Sequence, residues 1–211
     1  MSTCLIISAM PVDVPISPQQ GDFVVAADAG YRTLQGLGIT PDLVVGDFDS
    51  LGFVPTGVPV ERRPERKDDT DTMLAIRAGL EKGCSRFLLY GATGGRTDHT
   101  IANFHALAFL NAHGVEGYLV GREMATIAKR ETLLFPSGLT GIFSVFAWGC
   151  PSATVSLQGC SYPFDGELSA DFPLGVSNAF THAPASVTVK SGEILVMWNA
   201  GVPCFPRREA V

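Results

Sequence analysis

The chain has 211 residues, 46% hydrophobic and 17% charged, which is enough apolar material for one domain or two small ones and too much for a disordered chain. A formal net charge of -6 leaves no basic stripe to neutralise a polynucleotide backbone, which argues against nucleic acid as a partner. Five scattered cysteines (Cys4, Cys84, Cys150, Cys160, Cys204) form no C-x-x-C pair, argue against a disulfide framework or a zinc site, and suit a reducing, cytoplasmic setting.

In chain order, CLIISA (4–9) reads as a strand, and without a basic region before this short apolar run secretion is not expected. FVVAA (23–27) and LVVG (43–46) read as further strands around a helix at about 29–37. A second helix at about 70–82 carries Met73, Ile76, Arg77 and Leu80 at helical spacing and stops at Gly83. After the strand FLLY (87–90), a third helix at about 98–112 turns Ile101, Phe104, Leu107 and Ala108 inward and ends at Gly114. GYLV (117–120) is the next strand. Strands alternating with helices predict an α/β fold with a mostly parallel sheet.

After about residue 125 short β-rich runs take over: TIAKRETLLF, GIFSVFAW, ATVSLQG and ASVTVKSGEILVMW. The uncharged run 133–150 is long enough to span a membrane, but Pro136, Ser137, Gly138 and Gly141 break it into strands, so no membrane segment is expected. KSGE (190–193) reads as a hairpin turn. The expected division is an α/β domain over 1–125 and an all-β domain over 126–211.

In a parallel sheet, ligands bind outside the carboxyl ends of the strands. Four motifs belong to that edge: ADAG (Asp28), GDFDS (46–50), KDDTD (67–71) and GATGGRTDH (91–99). Side chains at i and i+2 of an extended segment point to the same side, so Asp47 and Asp49 face together and Phe48 turns away. Asp71 adds a third carboxylate to the crevice. Two carboxylates about 4 Å apart repel by roughly 4 kcal/mol at an effective dielectric of about 20, so such a group takes up protons or holds cations. All-oxygen donors favour magnesium, commonly with phosphates completing its shell. Alternatively these residues are helix caps, with Asp69 or Thr70 capping the second helix and Asp98 the third.

In GATGGRTDH, Gly91, Gly94 and Gly95 admit close approach of an anion, the following helix offers free N–H groups, and Arg96 can pair with phosphate. The loop is not a Walker A sequence. His99 and Asn103 lie one helical turn apart and could line the crevice. His113, beside Gly114, reads as a helix cap.

DAG, PDLVVGDFDS, KDDTD, GATGGRTDHTIANFHAL, GCSYPF and GVSNAF together resemble the thiamine pyrophosphokinase (thiamine diphosphokinase) family, in order and spacing over nearly the whole chain. The resemblance implies a Rossmann-like nucleotide-binding domain followed by a thiamine-binding β-sandwich, and a homodimer with thiamine sites between subunits. It implies magnesium-dependent transfer of a pyrophosphoryl group from ATP to the thiamine hydroxyl, giving AMP and thiamine diphosphate. Carried over by position, Asp47, Asp49 and Asp71 are the magnesium ligands, and Asp28, Ser50, Lys67, Asp68 and Thr70 surround the triphosphate. Gly94, Gly95, Arg96 and Asp98 contact phosphate or substrate, with Asp98 as the candidate to receive the hydroxyl proton. Ser177 and Asn178 belong to the thiamine site. The loops 10–21 and 51–66 depart from the family pattern, the second being rich in Pro and Gly where relatives carry a helix. Two other readings of the same acids are a magnesium-dependent nucleotide phosphohydrolase and a non-catalytic thiamine- or nucleotide-binding protein.

Overall fold

The computed structural model describes residues 2–62 and 69–211. The chain divides into two compact units, 1–121 and 122–211.

The first unit contains the strands β1 (Thr3–Ile7), β2 (Phe23–Ala27), β3 (Leu43–Gly46), β4 (Val60–Arg62), β5 (Arg86–Tyr90) and β6 (Glu116–Val120). They lie in the order β6-β5-β1-β2-β3-β4, and every pairing is parallel. The helices are α1 (Gly30–Gly36), α2 (Asp71–Glu81) and α3 (Thr97–Ala112). From β1 the chain steps outward through β2, β3 and β4, then returns to place β5 on the other side of β1. The connections from β1 and β5 therefore lead to opposite sides of the sheet, the position at which a ligand crevice is expected at the carboxyl ends.

Both long helices bury faces that match the expected ones only in part, Ile76 on α2 and Leu107 on α3 being buried as expected. The buried residues of α2 are Thr72, Leu74, Ala75, Ile76 and Gly79, while Arg77 is exposed and pairs with Asp69 at 2.7 Å. Small residues face the sheet because the approach is close: a Cβ on Gly79 would lie 2.5 Å from the Phe87 ring and 2.8 Å from Cys4 Sγ. On α3 the buried residues are Asn103, Ala106, Leu107 and Leu110, and Ile101 is 49% exposed. At 100° per residue Ile101 sits about 200° from Asn103, so a helix that buries Asn103 must expose Ile101.

The second unit holds β7 (Met124–Ala128), β8 (Glu131–Phe135), β9 (Ile142–Ala147), β10 (Ser152–Gln158), β11 (Phe164–Ser169), β12 (Asn178–Ala179), β13 (Ala185–Ser191), β14 (Ile194–Asn199) and β15 (Arg207–Ala210). One antiparallel set runs β12-β9-β14-β7 and a five-stranded antiparallel sheet runs β11-β10-β13-β8-β15. KSGE is consequently not a hairpin, because β13 pairs with β10 and β8 while β14 pairs with β7 and β9. Gly192, with φ +77° and no room for a Cβ beside the Ser152 carbonyl (2.7 Å), makes the corner at which the chain changes sheets. Rings from both sets share a core: Phe135 lies 5.4 Å from Trp198 and 5.2 Å from Phe180, and Phe180 lies 5.0 Å from Phe143. Among the described residues no helix is long and apolar enough to cross a membrane.

Candidate functional site

A cavity of about 480 Å³ opens at the carboxyl ends of β1, β2, β3 and β5, a size that suits a small ligand. Its acidic wall comes from three strand or helix ends. Asp28 follows β2, Asp47 and Asp49 follow β3, and Asp71 is the first residue of α2.

The pair in GDFDS does not converge by pleat alternation. β3 ends at Gly46, and Phe48 takes a left-handed conformation, φ 67°. Its ring is 3% exposed, so burial holds this residue in a backbone conformation that costs about 1–2 kcal/mol. The turn brings Asp47 and Asp49 together: the Asp49 N–H donates to Asp47 Oδ1 at 3.4 Å, and the Ser50 N–H donates to Asp49 Oδ1 at 2.6 Å. The Ser50 hydroxyl donates to the same Asp49 oxygen at 3.2 Å. Arg32 Nη2 on α1 donates to the Leu51 carbonyl at 2.7 Å and ties the turn to the helix beside Asp28.

Asp28 is also left-handed, φ 47°, and 7% exposed. One oxygen each from Asp28, Asp47 and Asp49 lie within 4.8 Å of one another, while Asp71 lines the same cavity outside that cluster. Burial pushes the Asp28 carboxyl above its ordinary value. The Ser50 hydroxyl and the Ala29 N–H oppose that shift, and the charges of Asp71 and Asp49 add to it. Asp28 Oδ1 is buried and has no hydrogen-bond partner among the described residues. A buried oxygen without a donor, facing two more carboxylates with no sulfur or imidazole in the cluster, suits a hard divalent cation such as magnesium.

Thr70 caps α2, its hydroxyl accepting from the Met73 N–H at 3.3 Å, and it also lines the cavity. The glycine-rich loop forms the opposite wall. Gly91, Gly94 and Gly95 all have positive φ, and Gly94 and Arg96 line the cavity directly. Gly95 backs onto Met10, where a Cβ would meet Sδ at 2.5 Å. Arg96 and Asp98 form a two-pronged pair, 2.6 Å and 3.1 Å, with both side chains largely exposed. The guanidinium holds the Asp98 carboxyl below its ordinary range. Asp98 is the second residue of α3 and bonds the His99 N–H, but α3 has no side-chain N-cap bond.

The chain after β1, which carries no recognisable motif, also lines the cavity, through Ser8 and Met10. Met10 N–H donates to the Gly91 carbonyl at 3.1 Å, and the Ser8 and Thr72 hydroxyls lie 3.3 Å apart. The available signal was positional, since a strand end beside a glycine-rich loop belongs to the same edge. His99 and Asn103 both line the cavity. Lys67 and Asp68 lie outside the described residues.

Ser177 and Asn178 lie in the second unit. Ser177 is exposed and left-handed, φ 61°, and its N–H donates to Ser144 Oγ at 3.1 Å. The Asn178 side chain is buried and engaged internally: Nδ2 donates to the Tyr162 carbonyl at 2.7 Å, and Oδ1 accepts from the N–H groups of Tyr162 at 3.0 Å and Ala179 at 2.9 Å.

The family model described as "Thiamin pyrophosphokinase, catalytic domain" matches residues 18–119, the stretch that builds most of this cavity. Over that stretch the chain is similar to the thiamine pyrophosphokinases. It is 27% identical over 189 residues to a protein named thiamine pyrophosphokinase from Bacillus subtilis (strain 168), covering 82% of this chain and 85% of that one. A crystal structure of thiamine pyrophosphokinase from Bacillus subtilis matches with a TM-score of 0.82 at 21% identity, covering 94% of this chain and 99% of the other, a likeness of fold. A thiamin pyrophosphokinase family protein from Enterococcus faecalis matches with a TM-score of 0.81 at 25% identity, with coverage of 94% and 99%.

Proposed function

We propose that this chain is a thiamine diphosphokinase, transferring a pyrophosphoryl group from ATP to the hydroxyl of thiamine and releasing AMP. The observation that carries the reading is the cavity itself, in which converging carboxylates face a glycine-rich loop and an arginine within the matched catalytic domain.

Asp28, Asp47 and Asp49 would hold magnesium, with Asp71 in reach of the same cavity. The bound ion would neutralise triphosphate oxygens and make the β-phosphorus a better electrophile. Backbone N–H groups of the glycine-rich loop and the Arg96 guanidinium bind phosphate oxygens, while Ser50 and Thr70 and, by the family resemblance, Lys67 and Asp68 complete the triphosphate surround. The alcohol attacks in line, its proton goes to a carboxylate or to water, and AMP leaves. Positioning and charge neutralisation do most of the work. Asp98 remains the proposed proton acceptor. Its pairing with Arg96 weakens it as a base, so substrate binding has to loosen that pair before Asp98 takes the proton.

From the family resemblance, the first unit is a Rossmann-like nucleotide-binding domain and the second a β-sandwich that contributes Ser177 and Asn178 to thiamine binding. Asn178 acts there by holding the backbone around Tyr162. A cytoplasmic homodimer with thiamine sites between subunits belongs to the same proposal.

The test is product analysis after incubation with ATP, magnesium and thiamine. Equimolar AMP and thiamine diphosphate are expected. ATP loss at the same rate without thiamine would instead indicate a phosphohydrolase, and tight binding without turnover a binding protein.

A further inference from the structure

We propose that Asn103 is a positioning residue for the phosphate-binding loop, an inference that rests on the nucleotide reading of the cavity above. Asn103 lies on α3, is 7% exposed and lines the cavity. Its Nδ2 donates to the Ala92 carbonyl at 2.6 Å within the buried part of the site. Ala92 lies between Gly91, with φ 60°, and the pair Gly94 and Gly95, with φ 86° and 67°. A segment with three left-handed glycines has no intrinsic preference for one conformation, so its shape comes from what holds it.

Among the described residues, hydrogen bonds from two sides hold it. Met10 N–H fixes the Gly91 carbonyl from the β1 side, and Asn103 fixes the Ala92 carbonyl from the α3 side. The second bond has an electrostatic consequence as well as a geometric one. A carbonyl oxygen turned into an anion-binding cavity repels phosphate, whereas one that accepts from a buried amide is kept turned toward the helix. The same bond accounts for the rotation of α3, which buries an asparagine and leaves Ile101 exposed. An amide in an inward stripe with Ala106, Leu107 and Leu110 is a polar group in an apolar position, stabilised there because its donor is used.

The experiment measures binding of α,β-methylene-ATP with magnesium by calorimetry, together with the KM for thiamine, in wild type, Asn103→Leu and Asn103→Asp. Leucine keeps the branched outline and removes the donor, and about tenfold or greater loss of nucleotide affinity is expected with the thiamine KM little changed. Aspartate keeps the shape but donates only when protonated. Its nucleotide affinity relative to wild type should therefore be weak near pH 8 and rise toward pH 5.5, as a buried carboxyl takes up its proton above the ordinary range. His99, Arg96, Asp28, Asp47, Asp49 and Asp71 face the same cavity in both proteins, so affinity is read as the ratio of variant to wild type at each pH. Affinities within twofold of wild type for both variants at every pH overturn the inference. So does an Asn103→Asp ratio that does not move with pH, which also decides the matter if Asn103→Leu does not fold. Wild-type protein that binds no nucleotide overturns the functional reading itself, and this inference with it.

Discussion

Replacing Asp28 by asparagine should stabilise the metal-free protein while removing its response to magnesium. Oxygens of Asp28, Asp47 and Asp49 lie within 4.8 Å of one another. At that separation and an effective dielectric of about 20, each ionised pair repels by about 3.5 kcal/mol. Water over the exposed Asp49 screens this, leaving about 1–2 kcal/mol of relief on neutralising Asp28, or a rise in Tm of about 2–8 °C for a chain of this size. The pH dependence has a definite sign. Asp28 in the folded protein titrates above its ordinary value of 3.8, chiefly through burial. The native state therefore keeps its proton after the unfolded chain has released its own, and stability falls as pH rises from about 4 through the raised folded-state value. Asparagine does not titrate, so the difference between variant and wild type opens across that window and stays constant above it. Thermal melts in chelator and in magnesium, between pH 4 and 8, measure all of this. A lower Tm for Asp28→Asn in chelator, or equal stabilisation of both proteins by magnesium, would refute the reasoning.

Gly30→Ala should be severely destabilising, by about 3 kcal/mol or more, because a Cβ there would lie 1.9 Å from the Ile7 carbonyl oxygen; urea unfolding measures it. In the second unit, Arg208 is 11% exposed and donates to both oxygens of Glu131 at 2.7 Å and to the Ile127 carbonyl at 2.6 Å. Arg208→Ala should cost about 2–3 kcal/mol in the same assay by removing the charged partner of the part-buried Glu131 carboxylate, which keeps the Lys129 N–H at 3.2 Å. Lys190→Ala, which breaks an exposed pair with Asp165, should change stability by about 1 kcal/mol or less.

The parallel α/β part was legible because its strands are continuous apolar runs: 23–27 and 43–46 fall where the pattern put them. Helix faces were less legible. Hydropathy selects large apolar side chains, whereas α2 buries Thr72, Ala75 and Gly79 for close approach and α3 buries Asn103 to bond a loop. KSGE misled because a sheet-to-sheet corner and a hairpin use the same turn residues, and only pairing distinguishes them. At the site, edge motifs were readable as a group because strand ends in a parallel sheet share one edge. The turn that joins Asp47 to Asp49 was not readable, since nothing in the local composition announces a left-handed Phe48. Its conformation follows from burying the ring, a tertiary effect.

The most direct measurement follows ATP labelled in its β-phosphate through the reaction in magnesium with thiamine, for wild type and Asp49→Asn. The account predicts that wild type places the label in thiamine diphosphate with one AMP per transfer, and that the variant is slower by orders of magnitude with its fold unchanged. Label appearing in ADP or in free phosphate or pyrophosphate at a rate independent of thiamine, or a variant of near-normal rate, would contradict it.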